Sequence, residues 1–270
     1  MKRWEEKLNL NLKEKMNCYS NGVNHCDVLR ALSRALKKTE EAYFGTADEM
    51  AADNPELALM GSCVLAMLMK GEDVYLMNVG DSRAVLAQKG IAVPGSRKGI
   101  QDLEIIKEES KRDKIEGFDG DELYGLRNLN SIQLSMDHTT YVDKPKWNDI
   151  LLEMFRIDYI GNSPYVTCTP SLYHHRLSPK DRFLILSSDG LYQYFTNQEA
   201  VMEVGSFIAA FPEADPAQHL IEEVLFRAAK NAGMDFHELL EIPQGERRRY
   251  HDDVSVIIIS LEGRIWRSSV

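Results

Sequence analysis

The chain has 270 residues, of which 44% are hydrophobic and 27% charged, and this composition predicts a soluble globular protein with a substantial core. Its formal net charge of −10 argues against nucleic-acid binding, because the phosphate backbone requires a basic face. The longest apolar run, from Leu57 to Met69, is interrupted by Gly61 and Ser62 and is too short to cross a membrane.

Cysteine usage and the first residues bear on the cellular compartment. The cysteines are scattered and contain no Cys-x-x-Cys pair, which predicts neither a zinc site nor a disulfide framework. Residues 1–16 alternate lysine with glutamate and lack an apolar centre, so no signal peptide is predicted. We therefore expect an intracellular protein, cytoplasmic or nuclear, with membrane association left open. Cys63 lies in an apolar run and is expected to be a core residue.

The predicted elements begin with a charged helix over 3–16 and a stronger helix over 26–52 that Asp27 caps. Residues 70–73 predict a hairpin between two strands. A polar stretch over 89–130 predicts an irregular insertion with one short helix near 103–111. Strands are predicted over 60–69, 73–78, 82–88, 132–134, 165–170, 182–187 and 254–261, and further helices over 197–211 and 216–231, capped by Asn197 and Asp215.

Hairpins that precede a pair of helices predict an α+β fold of antiparallel sheets packed with helices. The predicted organisation is a charged N-terminal helix and linker over 1–25, a main domain over 26–262 and a C-terminal tail over 263–270.

Two strand ends carry carboxylates. The run from Phe183 to Leu191 predicts a buried strand that ends at Asp189-Gly190, and Asp252-Asp253 directly precedes the last predicted strand, which is also expected to be buried. Carboxylates at two strand ends suit a hard divalent cation, and a cation would relieve the repulsion between Asp252 and Asp253. The alternatives are an ordinary Asp-Gly turn at Asp189 and a solvated strand entry beside the basic run 247–249.

Several short motifs occur in one order along the chain. The motifs are Gly61-Ser62, Val79-Gly-Asp-Ser-Arg-Ala-Val85, Leu134-Ser-Met-Asp-His138, Ser187-Ser-Asp-Gly190 and Asp252-Asp-Val-Ser-Val256. This ordered set resembles the metal-dependent protein serine/threonine phosphatases of type 2C, the PPM family. Segments 170–176 and 243–250 are similar to its plant POLTERGEIST-like branch.

The resemblance implies an α-β-β-α sandwich of antiparallel sheets and a site for two Mg²⁺ or Mn²⁺ ions. Metal-bound water, not an enzyme nucleophile, would attack the phosphorus of phosphoserine or phosphothreonine. Asp189 and Asp252 align with metal ligands, and Asp137 aligns with the ligand of a weaker third metal. Gly190, Asp253 and His251 are expected next to these ligands, and phosphorylated proteins, receptor kinases included, are the implied partners.

The sequence also departs from the family. The motif that supplies the bridging aspartate and the arginine that grips phosphate have no counterpart, and several dozen residues are missing after Thr140. An incomplete fold with weakened metal binding is therefore expected. The resemblance leaves two functions open, a phosphatase and a catalytically impaired, truncated member that acts as a binding or decoy protein.

Other polar residues are also candidates for a role in the site. His251, beside Asp252, is a candidate proton carrier near the metal. His174 and His175 are expected in a surface turn rather than as metal ligands. The basic run 247–249 either attracts a phosphopeptide or forms a solvated turn balanced by Glu241 and Glu246, and the second interpretation is favoured.

Overall fold

The computed structural model describes residues 19–20, 23–90, 128–137, 169–243, 245–263 and 266. The chain divides into two compact units. The first contains the described residues within 1–85, 133–178 and 186–190, and the second contains those within 86–132, 179–185 and 191–270.

The first unit is built on a three-stranded antiparallel sheet and one long helix. Its elements are β1 (Tyr19–Ser20), β2 (Val23–Asn24), α1 (His25–Glu49), a 3₁₀ helix (Pro55–Leu59), β3 (Val64–Lys70), β4 (Asp73–Val79) and β7 (Ser171–Arg176). The sheet has the order β3-β4-β7. Helix α1 packs on β4 and β7, and a two-stranded ladder, β1-β2, precedes it.

Burial explains the arrangement of the first unit. Strand β4 is the central strand, and its residues from Asp73 to Asn78 are all buried. Leu29 of α1 packs on Tyr75 of β4, and both are fully buried. Burying a large apolar side chain stabilises a fold by roughly 1.5–3 kcal/mol, so this contact fixes the helix on the sheet.

The remaining described elements are four strands, three α-helices and two 3₁₀ helices. They are β5 (Arg83–Lys89), β6 (Leu129–Gln133), β8 (Asp181–Ser187), a 3₁₀ helix (Asp189–Gln193), α2 (Asn197–Ala210), α3 (Pro216–Ala232), α4 (Phe236–Glu241), a 3₁₀ helix (Glu246–Arg249) and β9 (Val256–Ser260). The four strands form a sheet with the order β6-β5-β8-β9, and the three α-helices belong to the second unit. In that unit α3 packs on α2, on α4 and on β9.

The predicted α+β class, with antiparallel sheets flanked by helices, is confirmed. The 70–73 hairpin is also confirmed, since Lys70 pairs with Asp73 across a turn in which Gly71 has a φ of 61°. Among the other described elements, those predicted over 26–52, 60–69, 73–78, 82–88, 132–134, 182–187, 197–211, 216–231 and 254–261 are present with shifted ends.

Several predictions were wrong. Asn24 and Thr196, not Asp27 and Asn197, cap α1 and α2, because their side chains reach the free N–H groups of the first turn. Strand β7 follows Pro170 instead of ending there, and helix α4 was not predicted. The last strand, β9, is only partly buried, and Ile257 is 60% exposed.

Two cysteines differ from their predictions. Cys26 is buried and disulfide-bonded, although no disulfide was predicted, and Cys63 is a free, exposed cysteine rather than a core residue. The helices predicted over 3–16 and 103–111, and residues 165–168, lie outside the described residues. No helix in the described part of the chain is long and apolar enough to span a membrane.

Candidate metal centre and active site

Asp189 lies where the sequence places it, just beyond a buried strand. Every residue of β8 except Arg182 is buried, and the strand ends at Ser187. Asp189 is half-buried and begins the 3₁₀ helix, while Gly190 after it is buried. The buried strand on one side and the tight helical turn on the other fix the backbone of this carboxylate.

Asp81 shares the surroundings of Asp189 in the first unit. The thiol of Cys63 donates to Oδ1 of Asp81 at 3.7 Å. Although Cys63 is exposed as a residue, desolvation of its thiol raises its pKa, and the negative charges of Asp81 and Asp189 raise it further. The negative charges of both carboxylates therefore oppose ionisation of the same thiol.

Gly80 makes this approach of the chain possible. Its φ of 111° lies in the left-handed region, and a Cβ at this position would lie 2.4 Å from Sγ of Cys63. Only glycine therefore lets the Asp81 turn pass so close to Cys63.

Asp137 is held by protein donors on both of its carboxylate oxygens. Nε and Nη2 of Arg83 lie 3.0 and 2.9 Å from Oδ2. Nε2 of Gln133 donates to Oδ1 at 2.7 Å. The side chain of Asn78 anchors the same segment by donating to the carbonyl oxygens of Gly80 and Met136, each at 3.0 Å. A cation at Asp137 must therefore compete with an arginine.

Asp252 is less completely held. Its Oδ1 accepts the backbone N–H of Asp253 at 2.8 Å and lies 3.6 Å from Nη2 of Arg248. The same guanidinium donates to Oδ2 of Asp253 at 3.0 Å. No described residue donates a hydrogen bond to Oδ2 of Asp252, so this oxygen remains available to a cation or to water.

His251 lies directly before this acidic pair. Its Nδ1 is 2.8 Å from the backbone oxygen of Asp252, and because a carbonyl oxygen only accepts, Nδ1 carries a proton and donates it to this bond. Its Nε2 is buried and has no hydrogen-bond partner among the described residues. His251 and Asp252 line one cavity of the second unit together with Arg249.

A separate cluster of metal-ligating side chains occurs in the first unit. Ligand atoms of His25, Asp73 and His174 lie within 4.8 Å of one another. The rings of His25 and His174 stack at a centroid separation of 3.9 Å and an interplanar angle of 17°. Because imidazole lone pairs lie in the ring planes, nearly parallel rings do not point at one ion, and one ring must rotate to bind it.

In its present geometry this cluster is a hydrogen-bonded network. Nδ1 of His25 lies 2.7 Å from the Tyr75 hydroxyl, and Nε2 of His174 lies 2.8 Å from Oδ1 of Asp73. His174 belongs to strand β7 and its side chain is 12% exposed. The prediction of a surface turn was therefore wrong for both His174 and His175, since His175 belongs to the same strand.

The sequence did not single out every residue that the structure places beside these carboxylates. Asp81 was assigned only to a turn, although its Gly-Asp pair ends strand β4 much as Asp189-Gly190 ends β8. That repeated pattern was the available signal. Arg83 was interpreted as part of a core motif, and its ion pair with Asp137 spans 54 positions that no local pattern connects.

Comparisons with known proteins decide the family. The model of the family "Protein phosphatase 2C" matches residues 5–100 and 127–233. The chain belongs to the protein phosphatase 2C family. The predicted phosphatase family is thus confirmed, and nothing in the comparisons supports the decoy alternative.

Plant phosphatases are among the relatives of this family member. Probable protein phosphatase 2C 4 of Arabidopsis thaliana is 56% identical, with an alignment that covers 99% of this chain and 47% of the relative. Protein phosphatase 2C 35 of Oryza sativa subsp. japonica is 54% identical, with 99% and 46% covered. The chain thus spans slightly less than half the length of these curated relatives.

The length of the first alignment is also informative. It runs over 309 positions, whereas the chain has 270 residues, so at least 39 positions (309 minus 270) have no residue of this chain. Among solved structures, the serine/threonine phosphatase Stp1 from Staphylococcus aureus is 17% identical with a TM-score of 0.46, covering 93% of this chain and 72% of that one.

Proposed function

We propose that this chain hydrolyses phosphoserine and phosphothreonine esters of proteins with the help of Mg²⁺ or Mn²⁺. The observation that carries the proposal is the state of Asp252. One of its oxygens accepts no hydrogen bond from a described residue, and the residue lines an arginine-containing cavity. In a protein phosphatase 2C family member, such a carboxylate beside cationic side chains suits a metal-assisted reaction of a phosphate.

The donor set fits a hard divalent cation. Asp189 and Asp252 offer carboxylate oxygens, the ligands that Mg²⁺ and Mn²⁺ prefer, and we assign these residues as metal ligands. We assign Asp137 to a weaker third site, because a cation there must displace Arg83. Gly190, Asp253 and His251 are the neighbours that orient the ligands.

Asp189 and Asp252 would hold the divalent cation, which would supply Lewis-acid polarisation of the phosphate and lower the pKa of a water molecule, so that hydroxide becomes available as the nucleophile. The chain itself contributes fixed groups around that chemistry. The hydrogen bond from the Asp253 N–H orients the Asp252 carboxylate, and Arg248 balances the charge of the adjacent pair. The Nδ1 hydrogen bond of His251 fixes the tautomer in which Nε2 can accept a proton.

The finer assignments are proposals of the same kind. Phosphorylated proteins, receptor kinases included, are the proposed substrates, and the cytoplasm or nucleus is the proposed location. We keep the main domain at 26–262, the insertion at 89–130 and the membership of the POLTERGEIST-like branch. We also propose that the unmatched positions of the relatives fall after Thr140, where the sequence predicts an internal gap.

Hydrolysis of a phosphothreonine peptide by the purified chain tests the function. We expect turnover that requires Mn²⁺ or Mg²⁺, stops with EDTA and is lost in Asp189→Asn. Asp53→Asn is a matched control, because Asp53 is exposed and its side chain has no partner among the described residues. A folded protein without metal-dependent turnover would overturn the proposal and favour a binding role.

A further inference from the structure

A cavity of about 460 Å³ opens in the second unit beside Asp252. Its walls are almost entirely polar side chains, and two neighbouring arginines supply its positive charge. The lining residues are Gln193, Arg248, Arg249, Tyr250, His251 and Asp252. With neutral histidine, these residues carry one more positive than negative charge, in a chain whose formal net charge is −10. The cavity is therefore a local exception to the acidic surface.

The arginines of the run 247–249 are used in three different ways. Arg247 donates to the carbonyl oxygens of Ile242 and Leu240 at 2.7 and 2.9 Å, where it closes the end of helix α4. Arg248 donates to Asp253 at 3.0 Å. Arg249 is exposed and has neither a hydrogen bond nor an ion pair with any described residue.

A second group in the cavity also lacks a partner. Nε2 of His251 is buried without a hydrogen bond among the described residues. A buried polar nitrogen without a partner costs free energy, and a ligand that enters the cavity can relieve this cost. The cavity thus combines an unused cationic donor, a buried ring nitrogen and the available oxygen of Asp252.

We infer that Arg249 is the phosphate-binding arginine of this chain, and that the cavity takes the phosphate group of the phosphorylated side chain. The inference rests on the proposed function and names a substrate-binding residue for it. A guanidinium presents paired N–H donors that match two oxygens of a phosphate, whereas an ammonium acts as a point charge. Of the two arginines in the cavity, Arg249 is the one whose donors are not already engaged by a carboxylate.

Asp252 explains how a phosphate and a metal site can share this cavity. Its negative charge repels an anion in the apo protein, and a divalent cation on the carboxylate reverses that local charge. Phosphate binding at Arg249 is therefore expected to strengthen when Mg²⁺ is present. The geometry assigns the phosphate to the arginine and the cation to the carboxylate.

Calorimetric titration of the full chain with inorganic phosphate, in the presence and absence of Mg²⁺, tests the inference. We expect wild type to bind phosphate and Arg249→Gln to bind it about 10–100-fold more weakly, since hydrogen bonds to charged groups are the strong ones. Arg249→Lys should recover part of that loss, because it keeps the charge but not the paired donors. The matched control is Arg34→Gln, which removes the same charge from an exposed arginine of helix α1.

The outcomes separate this inference from the proposed function. Equal phosphate affinity in wild type and Arg249→Gln, or no phosphate binding by wild type, would overturn the inference. Peptide hydrolysis by the same preparations supplies the second readout, in which Arg249→Gln should raise KM. Turnover with an unchanged KM contradicts the role of Arg249 and leaves the phosphatase function standing. Arginine-dependent phosphate binding without turnover contradicts the function alone.

Discussion

The carboxylates of Asp137 and Asp252 both lie close to strands, yet their surroundings differ. Arg83 and Gln133 cover both oxygens of Asp137 with donors at 3.0 Å or less. Asp252 has a backbone N–H on one oxygen and no described donor on the other. Residue type alone therefore does not separate a structural carboxylate from a ligand. The number of internal donors does, because an unsatisfied carboxylate retains its affinity for a cation.

The largest expected effect is the loss of activity in Asp252→Asn. Removing even an outer partner of a metal ligand typically costs about 10–100-fold in metal affinity or activity, so loss of the ligand itself should cost at least about 100-fold. Thermal stability should change little, because the Asp252 side chain is 38% exposed and the asparagine oxygen can still accept the Asp253 N–H. Mn²⁺-dependent peptide hydrolysis and a thermal melt measure the two quantities.

Asp137→Asn should mainly reduce stability, whereas Asp252→Asn should mainly reduce activity. We expect it to lower the melting temperature more than Asp252→Asn does and to lower activity less. The contrast between the two sites fails if Asp137→Asn abolishes turnover without any change in stability.

The next largest effect is a loss of stability on substitution of Gly80, which follows strand β4 and precedes Asp81. Gly80→Ala combines a strained φ with a contact to Cys63, and should lower the free energy of unfolding by about 3 kcal/mol. Gly71→Ala is the control, because its φ of 61° is also positive but no atom lies within 4 Å of the added Cβ. Urea denaturation measures the free energy of unfolding, and equal losses in the two variants would show that the contact with Cys63 contributes nothing.

The ion pair between Arg83 and Asp137 should contribute more to the free energy of unfolding than the ion pair between Arg248 and Asp253. Arg83→Ala leaves a carboxylate that is 17% exposed without its main partner, at an expected cost of about 1–2 kcal/mol. Arg248→Ala removes an exposed partner from a carboxylate that is 83% exposed, so its cost should stay below about 0.5 kcal/mol. Denaturation in urea at low and high salt compares them, and a larger loss for Arg248→Ala would reverse the assignment.

The smallest effect is a gradual dependence on pH from the His25 network. Burial lowers the pKa of His25 below 6.5, the nearby charges of His174 and Arg176 lower it further, and Asp73 opposes them. The unfolded chain then binds more protons than the folded chain, so stability falls as the pH drops below about 6.5. Melting temperatures from about pH 7.5 to about pH 5.5 should decline less in His25→Gln.

At lower pH the carboxyl group of Glu203 determines how stability depends on pH. The hydrogen bond with His219 holds the pKa of Glu203 below 4.5. A carboxyl group whose pKa is lowered by folding stabilises the folded state at pH values above its pKa in the unfolded chain. This stabilisation is lost as the pH falls through the pKa of the folded state. Glu203→Gln should therefore reduce the loss of stability that wild type shows below about pH 4.5, whereas a second step that is unchanged in this variant would exclude Glu203.

Local patterns in the sequence predicted most of the described elements, because strand and helix periodicity follows burial. The alternation and apolar runs of β3, β4, β5 and β8 locate these strands to within a few residues. Strand β7 was misplaced, since most of its residues from Ser171 to Arg176 are polar and gain their partners from β4. The same apolar runs placed Asp189 two residues beyond β8, whereas β9 begins at Val256, four residues after Asp252.

The polar networks could not be predicted in the same way. His174 meets Asp73 across 101 positions, and Asn78 meets the carbonyl of Met136 across 58. No periodicity connects such pairs, so the sequence did not distinguish the satisfied Asp137 from the available Asp252. The different uses of Arg247 and Arg249 likewise depend on neighbours that only the folded chain supplies.

The basic run 247–249 lies on a 3₁₀ helix, Glu246–Arg249. Such a helix has three residues per turn, so consecutive side chains leave its axis about 120° apart. A stretch that looks like one cationic block in the sequence therefore points in three directions. Replacing all three arginines at once would combine three effects. It would remove the bonds of Arg247 to the end of helix α4, the partner that Arg248 gives to Asp253, and the proposed phosphate donor Arg249. The three arginines must therefore be replaced one at a time if their separate roles are to be measured.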